Sequence, residues 1–173
     1  VEAETYKGYI RRLIDEFDYE KLGEGGFGTV LQHPTMRNVV VKVVKMDRAY
    51  RKFCKFAMDN PTNPWLPKIA SVQTIALDDA NLAYAVFMEK LDKVPASYVE
   101  KLREAFRDRY NLRFWSDNQW FDRASWRKIA ADSPPDFSKL ATYFADNLNS
   151  LDLIPSNFMR RRNQLVFNDP VAG

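Results

Sequence analysis

A chain of 173 residues with 46% hydrophobic and 14% aromatic content can bury a substantial core, which argues against disorder and for one compact globular unit of up to two lobes. Its 26 Lys and Arg against 23 Asp and Glu leave a formal charge of +3, too mild to mark a nucleic-acid binder. A single cysteine, Cys54, and a single histidine, His33, exclude an intramolecular disulfide framework and a His/Cys zinc cluster and point to a reducing cytosol, while no apolar run approaches the ~20 residues of a membrane span and the first residues lack a signal peptide's apolar core.

Tyr6, Tyr9, Ile10, Leu13, Ile14 and Phe17 recur at helical intervals, so residues 1–17 read as an amphipathic helix that needs a surface to pack on. "DYEKLGEG", "FGTVLQH" and "NVVVKVV" are short β-branched or aromatic segments separated by Gly- or Pro-containing turns, and they predict an antiparallel meander of three strands. "DRAYRKFCKFAMD" has apolar residues at Tyr50, Phe53, Cys54 and Ala57 with bases between, a helix that stops before "NPTNP". Cys54 on that apolar face is expected to be buried. "IASVQTIAL" and "NLAYAVFMEKL" complete five strands interrupted by one helix after the third. The pattern then turns helical in "ASYVEKLREAFRDRY", "RASWRKIAA" and "FSKLATYFADNLNSL", with Pro134-Pro135 read as a loop. Trp115, Trp120 and Trp126 are expected in the core. "LVFND" closes the chain as half of a hairpin whose turn is "RRNQ", and Arg160 to Arg162 are read as solvated there.

Within this frame one spacing carries chemistry. Gly23, Gly25 and Gly28 form G-x-G-x-x-G between two predicted strands, and residues without a Cβ let backbone N–H groups approach phosphate oxygens closely. A dinucleotide-binding fold would follow these glycines with a helix, whereas here a strand follows, the order of a protein kinase. A Gly-rich hairpin turn without a ligand is the competing reading. Lys42 lies in "VVVK", on the opposite face from Val41 and Val43, and a lysine inside a valine strand is expensive unless its ammonium meets anions. Lys45, at the strand's end, is expected to be solvated. Near the C-terminus come Asp152, Asn157 five residues on, and Asp169 after a hairpin. Each alone fits ordinary turn chemistry; in this order, behind the glycines and Lys42, they match what phosphoryl transfer needs: a carboxylate for the substrate hydroxyl, then an amide oxygen and a carboxylate for Mg²⁺.

On these residues the chain resembles the protein kinase superfamily over nearly its whole length. "LGEGGFGTVLQHPTMRNVVVKV" and "SLDLIPSNFMRRRNQLVFNDPVA" look like the short early protein kinases of podophages of the T-seven group, which carry a D-P-V type ending in place of D-F-G, and a second resemblance is to minimal effector kinases that bacteria inject into their hosts. Residues 92 to 135 match nothing in either. The resemblance implies an α+β, minimal protein-kinase-like fold: an N-terminal helix over 1–17, a five-stranded antiparallel N-lobe with one helix over 18–91, and a reduced helical C-lobe over 92–173. It implies a phosphate-covering loop at Gly23, Gly25 and Gly28, nucleotide contacts at Val30, a phosphate-binding Lys42, Met88 at the back of the adenine pocket and a hinge from Glu89 to Leu91. Asp152 would be the catalytic carboxylate, and Asn157 and Asp169 the metal ligands. The implied activity is an ATP- and Mg²⁺-dependent Ser/Thr protein kinase, with Mn²⁺ as a substitute metal, acting on host proteins in the host cell cytosol as a monomer, with no membrane or nucleic-acid partner.

Several positions depart from that family. No glutamate lies between Lys42 and Glu89 to pair with the lysine, leaving only Asp47 and Asp59 near the helix ends; Ser150-Leu151-Asp152 replaces H-R-D; Ile154 stands where many kinases have a Lys; and only four residues follow Asp169, so no activation segment is expected. Ile154 and the missing glutamate support one alternative, a pseudokinase that binds nucleotide or a partner without transfer; a second, a small-molecule phosphotransferase of the aminoglycoside-kinase type, also uses D-x-x-x-x-N and a later Asp but normally has a larger helical lobe than this length allows.

Overall fold

The structure is a computed structural model that describes residues 4–25, 28–45, 47–77 and 82–172. Gly26 and Phe27 of the glycine stretch, the first three residues of the expected N-terminal helix and Asn81 at the head of the fifth expected strand lie outside them. The fold is α+β, and the chain divides into two compact units, residues 1–59 with 68–90, and residues 60–67 with 91–173.

In the first unit, α1 (Tyr6–Phe17) starts at Thr5, whose hydroxyl accepts the Gly8 N–H at 3.0 Å, and ends at Asp18 in the left-handed region with φ 55°. Strands β1 (Glu20–Glu24), β2 (Gly28–Gln32) and β3 (Val39–Lys45) form the expected meander, α2 (Arg48–Asp59) follows, and β4 (Ile69–Ala76) and β5 (Leu82–Glu89) complete a five-stranded antiparallel sheet in the order β1-β2-β3-β5-β4. Strand alternation sorts the residues between two faces. Leu31, Val41, Val43, Ala83 and Ala85 form one buried cluster with Ile10, against which Tyr6, Tyr9, Leu13 and Ile14 pack, so the sheet is the surface that α1 requires. Phe17, the last residue of α1, does not join this packing and is 53% exposed. Val40, Lys42 and Val44 face the other way, where α2 buries Tyr50, Phe53, Cys54 and Ala57 as expected. Fully burying a side chain the size of Phe53 stabilises by about 1.5–3 kcal/mol.

Gly28 has a packing reason of its own. A Cβ at this position would lie 2.6 Å from the Val43 carbonyl oxygen and 3.3 Å from Val44 Cα, both backbone atoms of the neighbouring strand. Gly28→Ala should therefore destabilise the protein by roughly 1–3 kcal/mol, read as a lower midpoint in urea at unchanged slope. Gly23→Ala, where an added Cβ meets nothing within 4 Å, is the matched control and should cost far less.

The second unit holds β6 (Asp92–Lys93), α3 (Ala96–Tyr110), α4 (Arg123–Asp132), α5 (Pro135–Asp146), short 3₁₀ turns at Leu148–Ser150 and Pro155–Asn157, and the hairpin β7 (Phe158–Arg161) and β8 (Gln164–Phe167). The C-terminal hairpin is as expected; that β6 joins it, in the order β6-β7-β8, is not foreshadowed by so short a segment. Pro135 opens α5 rather than sitting in a loop, since a proline at the first helical position gives up an N–H that has no intrahelical partner anyway. An aromatic chain fills the core: Trp120 stacks on Phe158 with centroids 5.3 Å apart, Phe158 meets Phe167 at 4.8 Å, Phe167 meets Phe144 at 5.2 Å, and Phe144 meets Trp126 at 5.0 Å. Trp120 and Trp126 are thus core residues, but Trp115 is 64% exposed and is not.

Segment 60–67 is held in this unit by polar bonds. Phe167 N–H donates to the Trp65 carbonyl at 2.9 Å, Asn63 Nδ2 to the Asp136 carbonyl at 2.8 Å, and the Arg161 guanidinium to the carbonyls of Pro64 and Leu66 at 3.1 and 2.9 Å. Arg161 is therefore structural rather than solvated; Arg160 and Arg162 are exposed as expected, with Arg162 turning the hairpin at φ 55°.

Candidate functional site

The first group of candidate residues lies on the five-stranded sheet. Gly25 N–H donates to the Gly28 carbonyl at 2.9 Å, tying the two ends of the β1–β2 connection, and the register shifts between Lys21 and Gly23, where a glycine commonly marks a bulge. No described glycine has positive φ, and a Cβ at Gly23 or Gly25 would meet nothing within 4 Å. Among the described residues, neither conformation nor crowding therefore requires glycine at 23 or 25, in contrast to 28.

Val30 pairs with Lys42 across β2–β3, and Lys42 pairs with Val86 on β5, so the lysine is flanked by valines as its strand position predicts. Lys42 is 8% exposed, with its ammonium 4.1 Å from the centre of the Tyr50 ring. Asp47 is buried and accepts the Tyr50 N–H at 2.9 Å, which caps α2. Lys45 is exposed, as expected, with its ammonium 5.4 Å from the Tyr6 ring. Met88 is buried, pairs with Val40 and shares the face of Lys42. Glu89 closes the end of the sheet: its N–H donates to the Lys68 carbonyl at 3.0 Å and its carboxylate accepts the Lys68 N–H at 2.8 Å. Leu91 begins the main stretch of the second unit.

The second group converges within the second unit. Asn157 Nδ2 donates to the Asp152 carbonyl at 2.7 Å and to Asp152 Oδ2 at 3.0 Å. The Asn157 carbonyl accepts the N–H groups of Asn168 and Asp169, each at 3.1 Å, and Asp152 N–H donates to the Pro170 carbonyl at 2.8 Å. An antiparallel bridge between Leu151 and Val171 and a bond from Ala172 N–H to the Ser150 carbonyl at 2.8 Å extend this pairing. Three residues spread over eighteen positions are thereby joined in one hydrogen-bonded network.

The orientation of Asn157 decides what this network can do. Both bonds of its amide go to oxygens of Asp152, so the NH₂ end points there and the carbonyl oxygen Oδ1 is the donor atom of the other end. Asn157 Oδ1 and the Asp169 carboxylate are hard oxygen donors, a set that fits Mg²⁺, which keeps several waters and takes one or two protein oxygens alongside phosphates. Among the described residues no cluster of three or more His, Cys, Asp or Glu forms a site of the all-protein kind.

Two neighbours were not legible in the sequence. Asn118 Nδ2 donates to Asp152 Oδ1 at 3.0 Å, and the Asn118 carbonyl accepts the Leu153 N–H at 2.6 Å. Trp120 Nε1 donates to the Leu153 carbonyl at 2.9 Å. Their loop, between α3 and α4, has no hydrophobic period to announce it; only the presence of Asn and Trp side chains able to donate hinted at polar work. Tyr50 belongs to the apolar stripe of α2, and nothing in that stripe distinguishes it as a ring against which the Lys42 ammonium lies.

No protein-family model matches this chain, and no curated protein matches it.

Proposed function

We propose that this chain is a reduced, metal-dependent kinase that transfers the γ-phosphate of ATP to a Ser or Thr hydroxyl of a host protein, in the cytosol of an infected or invaded cell. On this reading the five-stranded unit and the helical unit correspond to the two lobes of a kinase-like fold. The single observation that carries the reading is the network joining Asp152, Asn157 and Asp169, three residue types that phosphoryl transfer requires, in the order it requires them. Two features of the first unit support it: glycines at 23 and 25 that no contact among the described residues requires, and a lysine buried in a valine strand.

The roles follow from chemistry. Backbone N–H groups of the glycine hairpin and the Lys42 ammonium would bind the triphosphate, with Val30 and Met88 supplying apolar surface to the base. Asn157 and Asp169 would hold Mg²⁺ or Mn²⁺, which when bound supplies neutralisation of phosphate charge. Asp152 would orient the hydroxyl and take its proton as the new oxygen–phosphorus bond forms and ADP leaves. No helix among the described residues is long and apolar enough to cross a membrane. Ile154, half-buried between Asp152 and Asn157, favours a second reading, nucleotide binding without transfer, because an apolar side chain there offers the γ-phosphate no charge.

The test is transfer of label from γ-labelled ATP to the protein itself and to a cell lysate, run beside nucleotide binding. Binding with transfer supports the kinase; binding alone supports the second reading; transfer to aminoglycosides in place of protein would indicate a small-molecule phosphotransferase. Lys42→Ala should lower affinity for Mg-ATP by roughly 10- to 150-fold, the worth of one charge-assisted contact of about 1.5–3 kcal/mol. Thermal stabilisation by Mg-ATP that survives this change intact would remove Lys42 from the site.

A further inference from the structure

We infer that Asn118 is a positioning residue for Asp152, an inference that rests on the kinase reading of Asp152. The two carboxylate oxygens of Asp152 accept from different carboxamides, Oδ1 from Asn118 Nδ2 and Oδ2 from Asn157 Nδ2, each at 3.0 Å. A carboxylate held at one oxygen can still turn about its last torsion, and that torsion is broad for Asp. Held at both, it keeps one plane, which fixes the direction of the lone pair that would meet a substrate hydroxyl.

The loop that carries Asn118 is built to hold that geometry. The Ser116 hydroxyl donates to Gln119 Oε1 at 2.9 Å and accepts the Gln119 N–H at 3.0 Å, while Trp120 N–H donates to the Ser116 carbonyl at 2.9 Å. Trp120 sits at φ 63°, a costly conformation for a bulky residue, and is kept there by its stack on Phe158 and by its indole bond to Leu153. Trp126 Nε1 ties the Gln119 carbonyl at 3.1 Å. At the loop's end Asp122 caps α4, and hydrogen bonds from Ser125 hold its carboxyl below the usual carboxylate range. The loop also grips both sides of residue 153, through the Asn118 carbonyl and the Trp120 indole. Backbone strain next to a candidate site, paid for by aromatic packing, is a pattern of precise positioning.

Substitution can separate the side chain from the rest, because the Leu153 N–H bonds to the backbone carbonyl of Asn118, and the Asn118 side chain is exposed. Asn118→Ala and Asn118→Asp should both melt cooperatively near the wild-type temperature and keep the wild-type KM for ATP. Their kcat should fall, by roughly 10-fold for alanine, which removes one hydrogen bond to a charged group. Aspartate, the same size but with an oxygen in place of the donor and a like charge against Asp152, should fall further. A purely space-filling role gives the opposite order, with aspartate the milder change.

Wild-type kcat in both variants, an effect confined to KM, or aspartate matching or exceeding alanine in activity would overturn the inference. If those results come with a wild type that transfers phosphate and an Asp152→Asn variant that does not, the inference alone fails. If the wild type transfers nothing, the kinase reading fails and the inference falls with it.

Discussion

Asp152→Asn is expected to lower phosphate transfer by about 100- to 10,000-fold, the usual worth of a general base, while leaving Mg-ATP binding near wild type. The change keeps the shape of the side chain but replaces one acceptor by a donor. Two carboxamides already aim N–H groups at this carboxylate, so one of them will meet the new NH₂, and the side chain will lose its fixed plane. The main chain has no reason to follow, because Asp152 N–H remains on Pro170 and the Asp152 carbonyl remains on Asn157 Nδ2. Thermal shift with and without Mg-ATP, beside labelled transfer, separates the two quantities. Unchanged transfer would exclude Asp152 as the base; a wild type that binds nucleotide but transfers none would move the weight to Ile154 and to the reading of binding alone.

Asp169→Asn should behave differently and lose both functions. Its backbone N–H donates to the Asn157 carbonyl and needs no carboxylate, so the network should persist. What goes is the negative charge among the two oxygens proposed for the metal, and a neutral amide in its place is a weaker ligand for a hard cation. The metal-dependent part of ATP binding should disappear and transfer should fall at least about 100-fold, in keeping with several kcal/mol of lost charge stabilisation. Titrating ATP at rising Mg²⁺ gives the readout: wild type should gain affinity with metal and the variant should not. A variant stabilised by Mg-ATP as well as wild type would show that Asp169 is not a ligand.

The sheet was legible because its residues obey a period. The valines at 39–41, 43 and 44 and the run from Leu82 to Glu89 leave little alternative to buried strands, and the buried stripe of α2 follows its helical spacing to the residue. Long-range pairing was not legible. Asp92 and Lys93 form a strand only because Arg160 and Met159, far along the chain, come to lie opposite them. Arg161 looked like a solvated turn residue for the same reason, since its partners, the carbonyls of Pro64 and Leu66, lie almost a hundred positions away. Trp115 and Trp120 carry the same side chain five positions apart, yet one is exposed and the other buried, which depends on the backbone of a single loop and not on composition. Among the candidate site residues, order along the chain suggested Asp152, Asn157 and Asp169, while Asn118 required the conformation of that loop.

The visit of segment 60–67 to the second unit bears on how such a protein could be taken apart or inherited. The chain leaves the sheet after α2, contributes the carbonyls that Arg161 and Phe167 require, and only then returns to lay down β4 and β5. A fragment ending at residue 90 would contain the whole sheet but would also carry Pro64, Trp65 and Leu66 stripped of their partners. The complementary fragment would carry, near its C-terminal end, a hairpin whose Arg161 guanidinium and Phe167 amide had lost these carbonyls. A single recombination joint therefore cannot exchange either unit as a cassette: the interruption makes them one heritable module.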